Sequence, residues 1–383
     1  MNALFLAAAY LRHHWVRSAV LVFVTALLLA VPLAAQTLLR GAESRLTARA
    51  EATPLLVGAR GSALDLVMTG LYFSEDRVIP ITQADADAVW DSGLALPIPL
   101  HTGFSTNGAR IVGTSLDYLE FRGLTLAQGR PFAVLGEAIA GATLADRLGL
   151  SPGGTLVSSP ENLFDLDGTY PLQMDVTGVL SPTGTPDDEA LFTDVKTAWV
   201  IAGIGHGHDD IVGADGQTPA SITQFTRITP ANIDSFHFHG DPGAYPLTAV
   251  IAVPYDQRAA TILRGRYLEA DAATQAVVPE DVVQSLVAQV FRIKSLLDAV
   301  MVLTGAAALA ALGLALFLAW RLRAPEMLTA LRLGARRGMI ARLVLAETAL
   351  VLVAALVLAA PIAVILQSQG ESIVTWLLAT APS

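Results

Sequence analysis

Seven histidines serve a chain of 383 residues, and four of them fall in two short alternating runs. Residues 204–210 read IGHGHDD, placing His206 and His208 before Asp209 and Asp210, and residues 234–241 read DSFHFHGD, with His237 and His239. If 235–239 is extended, residues two apart share a face, so His237 and His239 project together while Phe236 and Phe238 project oppositely. Two imidazoles at that spacing supply half of a tetrahedral zinc site, and the pair in the glycine setting adds two more donors. The competing reading is a pair of solvated strand ends whose histidines only hydrogen-bond. With no cysteine in the chain, thiolate ligands and disulfides are excluded, and the metal candidates are His206, His208, His237 and His239.

Other chemistry is sparse. A phosphate-binding loop needs Gly-Lys-Ser/Thr, because the lysine reaches the β- and γ-phosphates while loop amides cradle them. Of the two lysines, Lys196 follows Val195 and Lys294 follows Ile293, so neither fits, and the chain holds no ATP by that route. GARGS (58–62) and SPGGT (151–155) read as glycine turns. No Ser/His/Asp arrangement is apparent, and no catalytic residue is assigned.

The elements that must carry these residues are unevenly apolar. The chain is 53% apolar and only 15% charged, against about 25% charged in ordinary soluble domains. Three stretches, 18–39, 296–320 and 343–366, are each long enough to cross a hydrocarbon core of about 30 Å. A cleaved secretory signal is disfavoured for the first, whose apolar run is too long and follows a long N-terminal segment. Asp298 and Glu347 lie near span ends, where pairing with neighbouring arginines accounts for them better than an ion path does.

Charge sets orientation. Arg12 and Arg17 precede the first span, and residues 321–342 carry six arginines against one glutamate, Glu326. Short Arg-rich flanks stay cytoplasmic, so the N-terminus is expected inside and the segment after the first span outside. Residues 41–290 hold 30 acidic and 13 basic residues, a balance of −17, which excludes a basic nucleic-acid surface.

The expected fold class is an α+β outer domain on an α-helical membrane region of three transmembrane helices with a stalk helix. An N-terminal amphipathic helix and first span fill 1–40, the outer domain 41–278, a stalk opened by Pro279 279–295, and the second span 296–320. A cytoplasmic segment (321–342), the third span (343–366) and an outer tail (367–383) follow. In the outer domain, LLVGA (55–59), ARIVGT (109–114), QMDVTGVL (173–180), TAWVI (197–201) and LTAVIAV (247–253) read as strands. Residues 136–149 read as a helix, through Ile139, Thr143, Leu144 and Leu148, closed by Gly149, and 181–190 as a turn-rich loop. Residues 324–347 read as a helix opened by Pro325 and interrupted at Gly334.

Here the pattern Glu326…Leu331-Arg332…Gly334-Ala335…Arg337…Glu347 resembles the cytoplasmic coupling segment of FtsX/MacB/LolC-type ABC transporter permeases. The runs 110–132, 135–156 and 176–201 are similar, in order, to the MacB-like periplasmic core domain. That family has a fourth span, whereas 17 residues follow the third here. The resemblance implies a multi-pass subunit of a bacterial inner membrane, with its large domain periplasmic and its motion driven by ATP on a separate cytoplasmic ATPase. Glu326, Arg332, Gly334, Arg336 and Arg337 would then meet that ATPase, although positive-inside topology alone also explains the arginines. It further implies a second permease copy, identical or not, contact with membrane lipid, and a periplasmic binding or carrier protein. The histidine pairs look like those of a subgroup associated with zinc-handling systems. The alternative class is a membrane signalling or scaffold protein that relays ATPase state to a periplasmic partner.

Overall fold

The computed structural model describes residues 3–74, 78–159, 171–207, 226–268, 273–332 and 337–380. It divides into a helical unit, Met1–Ser44 with Val287–Ser383, and a mixed α/β-element unit, Arg45–Leu286.

In the helical unit, α1 (Ala3–His13) and α2 (Trp15–Glu51) are distinct helices, with a bend of 101° between Leu4–His13 and Trp15–Val31. The N-terminal segment is therefore a helix of its own. Towards the C-terminus, α10 (Arg337–Thr380) packs on α2 through Ala26, Ala30, Ala355 and Ala359, all buried, with Val22, Leu29 and Ile362 beside them. Alanines four apart share a helix face and let two backbones approach closely, which is how helices associate where lipid removes the hydrophobic drive. Phe23, Val31, Leu356 and Val357 on the same helices stay exposed.

Among the described residues, Ala341–Ile365 is long and apolar enough to cross a membrane, and the bent pair is a second candidate if taken as one span. Three spans were expected. Residues 296–320 are helical within α9 (Pro279–Arg332), but most of their side chains lie outside the described residues. The segments expected as stalk, second span and start of the cytoplasmic segment form one continuous helix, so Pro325 does not open a new one. Its neighbour Thr329 returns a hydroxyl bond to the Pro325 carbonyl at 2.9 Å. Residues 367–380 likewise continue α10 and form no separate tail.

The second unit is the expected α+β domain, built on a mixed sheet. Its strands are β1 (Leu55–Ala59), β2 (Ile81–Thr82), β3 (Ala95–Thr106), β4 (Ala109–Thr114), β5 (Leu126–Gly129), β6 (Glu137–Ala140), β7 (Thr155–Val157) and β8 (Leu172–Leu180). They continue with β9 (Leu191–Asp194), β10 (Gly205–His206), β11 (Thr226–Arg227), β12 (His237–Phe238), β13 (Pro246–Leu247), β14 (Ala249–Pro254) and β15 (Thr274–Val277). The main sheet runs β11-β8-β6-β9-β4-β3-β14-β1-β15, with β5 and β7 also paired to β8. The pairs β4–β9, β6–β8 and β8–β11 are parallel and the rest antiparallel. Helices α3 (Ala63–Tyr72), α4 (Gln83–Asp91), α5 (Leu116–Phe121), α6 (Ala142–Leu148), α7 (Val195–Ile201) and α8 (Gln257–Arg266) accompany it. One apolar cluster gathers Ile111, Leu144, Met174 and Leu191, and a second gathers Leu55, Val57, Val89, Val250 and Leu263.

Strands at 55–59, 109–114 and 172–180 stand where the sequence predicts them, and 247–253 falls on β13 and β14. Two segments differ. TAWVI is helix α7: Asp194 caps it by accepting from the Lys196 amide at 2.9 Å, and Thr197 to Ile201 are all buried. A short helix buried all round has no polar alternation, so periodicity cannot separate it from a strand. Residues 136–149 divide into β6 and α6 at Gly141, where an added Cβ would strike the carbonyls of Asp187 and Asp188. Strand β6 lies between β8 and β9 and is buried on both faces, so it too lacks alternation.

His101 on β3 is buried, stacked on Phe104 with ring centroids 5.0 Å apart, and its Nδ1 accepts from the Gly103 amide at 3.4 Å. Burial pushes this imidazole down to about 4, so the folded domain holds it neutral. The unfolded chain takes up the proton near pH 6.5, so this stability is complete above that value and lost as pH falls towards 4. Urea unfolding followed by tryptophan fluorescence is expected to show a loss of roughly 2–3 kcal/mol from this group between pH 7 and pH 4.5, and His101→Gln should remove that share.

Candidate metal centre

The two histidine runs meet. Strands β10 and β12 pair antiparallel with Gly205 opposite Phe238 and His206 opposite His237. The His239 amide donates to the Ile204 carbonyl at 3.0 Å, extending the ladder by one residue. His239 therefore shares the face of His237 and lies diagonal to His206, within reach of a large side chain.

The alternation in each run serves the other. Phe236 and Phe238 project to the opposite face, where their rings lie across the glycines of the partner segment. A Cβ on Gly205 would come within 2.7 Å of the Phe238 ring, and one on Gly207 within 2.5 Å of the Phe236 ring. The glycines of IGHGH make room for phenylalanines rather than supplying flexibility to a loop. Phe238 packs against both apolar clusters and stands edge-on to Trp199, with ring centroids 6.4 Å apart. Phe236 packs against the first cluster. The hairpin is pinned from beneath, and the imidazoles are left above.

Above it, the ring centroids of His206, His237 and His239 lie 4.6 to 4.8 Å apart. One ligand nitrogen from each falls within 4.8 Å of the others. His206 and His239 are exposed and His237 is half-buried. His237 Nδ1 lies 3.1 Å from the Ser235 carbonyl. A carbonyl can only accept, so Nδ1 is the donor in this contact, the arrangement that orients a ligating imidazole through its other nitrogen. The group could hold a metal ion. His208, Asp209 and Asp210 lie outside the described residues. Asp241 is engaged in the following turn, accepting from the Gly243 amide at 3.0 Å.

The residues expected to meet an ATPase are described only in part. Glu326 is a helical position within α9, Arg332 is its exposed last residue and Arg337 is the first of α10, whereas Gly334 and Arg336 lie outside the described residues. Glu347 is half-buried on α10, and the side chain of Asp298 is outside the described set.

Sequence reasoning did not single out Arg49. This residue of α2 is buried, and its Nη1 and Nη2 donate to the two Asp187 oxygens at 2.6 and 3.0 Å. Nη2 also reaches the Tyr118 hydroxyl at 2.8 Å, Nε donates to the Leu71 carbonyl at the end of α3, and the guanidinium carbon lies 5.4 Å from the Phe73 ring centre. Tyr118 in turn donates to Asp187 at 2.7 Å. Burial drives the Asp187 carboxyl upward, but the Arg49 hydrogen bond and charge, with the Tyr118 and Thr185 hydroxyls, outweigh it and hold the group below the ordinary carboxylate range. Burial pushes the Tyr118 phenol up to about 12. The loop 181–190 is thus a built element, with a 3-10 turn at Pro186–Glu189 that delivers Asp187 inward. Its neighbour Asp188 accepts from the amides of Thr183 and Gly184. An arginine and an aspartate 138 residues apart leave no local pattern by which to pair them.

No protein-family profile matches the chain, and no curated protein matches it in sequence. Among solved structures, the chain is similar to the periplasmic region of MacB from Actinobacillus actinomycetemcomitans, at 11% identity and a TM-score of 0.35, over 62% of this chain and 94% of that one. It is also similar to the extracellular domain of the noncanonic ABC-type transporter YknZ from Gram-positive bacteria, at 12% identity and a TM-score of 0.33, over 58% of this chain and 98% of that one.

Replacing Arg49 with methionine strands a buried carboxylate, for which a cost of about 3–5 kcal/mol is expected in chemical denaturation of the detergent-solubilised chain. R49M combined with D187L should recover much of that loss, because no unpaired charge then remains buried. The pair's contribution is present above the ordinary carboxylate range and declines as pH falls below it towards the depressed folded value of Asp187.

Proposed function

We propose that this chain is the membrane subunit of a mechanically coupled ABC system. ATP is hydrolysed on a separate cytoplasmic ATPase, and helix movement is passed to the α+β domain on the far side of the membrane. In this reading the chain crosses a bacterial inner membrane three times, at 18–39, 296–320 and 343–366, with its N-terminus inside. It works beside a second permease copy, surrounded by lipid, and its periplasmic domain engages a binding or carrier protein. The segment 321–342 is the ATPase contact, through Glu326, Arg332, Gly334, Arg336 and Arg337. The chain itself carries no catalytic residue.

The observation that supports this most is how the domain is attached. Strands β1 and β15 are antiparallel neighbours, with Leu56 opposite Val277, so the strand that follows α2 and the strand that precedes α9 begin and end side by side. Each helix is also fastened within the domain. The last turn of α2 is held by Arg49, and the first turns of α9 by buried Val283, with an exposed Arg264–Asp281 pair at 3.7 Å beside it. A domain hung on two fastened helices at one sheet edge responds to movement of either helix. A tethered enzyme would need only one.

The test reverses charge at the contact. With the cognate ATPase co-purified, E326R combined with R332E should lower stimulated ATP hydrolysis by roughly tenfold, equivalent to about 1.4 kcal/mol of coupling. Unchanged stimulation would sink the reading. A periplasmic enzyme recovered with the complex in place of a carrier would favour the signalling role.

A further inference from the structure

We propose that His206, His237 and His239 form an open three-imidazole site for a borderline transition dication, with zinc as the best match. This goes beyond the coupling reading and does not depend on it.

The donor set selects the ion. Three imidazole nitrogens with no carboxylate among them suit zinc, copper or nickel, whereas calcium and magnesium require oxygen ligands. The geometry is nearly in place. Imidazole nitrogens about 2.0–2.1 Å from a tetrahedral ion lie roughly 3.3 Å from one another, and the ring centres then lie roughly 5 Å apart. The ring centres here are already 4.6 to 4.8 Å apart, and the nitrogens lie within 4.8 Å. The rings must turn to aim their nitrogens, but the strands need not move. That distinction matters because the hairpin cannot shift freely: Phe236 and Phe238 hold it from the opposite face, against glycines that admit nothing larger. The Ser235 carbonyl sets the His237 tautomer, the role that an outer partner plays at an established ligand.

Among the described residues, no fourth histidine or carboxylate joins the group. Asp241, the nearest carboxylate in sequence, is committed to its own turn. Three protein ligands with an open position distinguish zinc sites that exchange a water or a bound group from closed structural sites. Because His206 and His239 are exposed, an ion can enter without local opening, and a ligand from a partner can complete the shell. The site is thus built for capture and exchange of an ion from solvent.

The experiment uses the full chain in detergent, stripped with a chelator and titrated with zinc by calorimetry, and separately with cobalt by visible absorption. One equivalent of zinc per chain is expected, unaffected by excess magnesium or calcium, and cobalt should give the intense visible bands of a four-coordinate ion. H206A, H237A and H239A should each weaken zinc binding by roughly tenfold or more, and all three should lose the cobalt bands. Their unfolding midpoints without metal, compared with the parent chain, show whether they are folded, and H206Q and H239Q serve if an alanine variant is not. No zinc uptake by the parent chain, or unchanged uptake by the three variants, overturns the site. An equal loss in H208A would supply the fourth protein ligand and overturn its open character.

Discussion

A guanidinium buried in protein must be compensated in full, and that requirement organises the α+β domain around Arg49. Four elements distant in sequence converge on one cation: α2 contributes the arginine, α3 a terminal carbonyl, α5 the Tyr118 hydroxyl and the 181–190 turn a carboxylate. Desolvating both charges costs several kcal/mol per ion, so the pair adds little to net stability compared with apolar residues of the same volume. What it enforces is position. If the last turn of α2 shifts against the sheet, a charge inside the domain loses its partner, a penalty that apolar contact alone would not impose. The carbonyl at the end of α3 adds the negative end of a helix, and Phe73, in the left-handed conformation at φ 57°, turns its ring beneath the same cation.

The histidine hairpin achieves fixity by other means. Its strands are two residues long, too short for their ladder bonds alone to hold them. Glycine on one strand and phenylalanine on the other make the pair complementary in volume, and the aromatic rings carry it into the two apolar clusters that flank the sheet. Register follows from the same fit. A slip of one residue would turn the phenylalanines to solvent and the imidazoles into the core, and would set phenylalanine against histidine where glycine leaves space. The three-imidazole group is therefore a property of the whole pair.

What the sequence disclosed divides along the same physical lines. Strand 172–180, where buried and half-buried residues alternate over most of its length, announces itself through that period of two. Elements buried on both sides, β6 and α7, do not, because burial erases the alternation that distinguishes strand from helix. The shared face of His237 and His239 was legible from a period of two. Their meeting with His206 depends on a pairing across 31 residues and was not. Nor was Arg49, since a long-range ion pair leaves no mark on its neighbours in the chain. The continuity of α9 through Pro325 overrode a local start signal. A proline forfeits one backbone bond and is tolerated inside a long helix when the rest of that helix continues to be favourable.

The neighbouring attachment of the two helices also determines how the domain would meet force. Strands β1 and β15 run antiparallel, and both helices leave from the same end of that ladder, beside the Leu56–Val277 pair. Opposed tension on the helices would load the ladder as a zipper, so that its hydrogen bonds are strained one at a time from the Leu56–Val277 end towards Ala59–Thr274. A ladder loaded in shear would share the strain over all its bonds together. Each backbone bond contributes only about 1 kcal/mol, so β15 is the mechanically weak margin of the sheet. On the other side, β1 is backed by β14 and by the ion pair at the end of α2. Under load, then, yielding is directed to one strand at the sheet's edge while the interior of the domain keeps its shape.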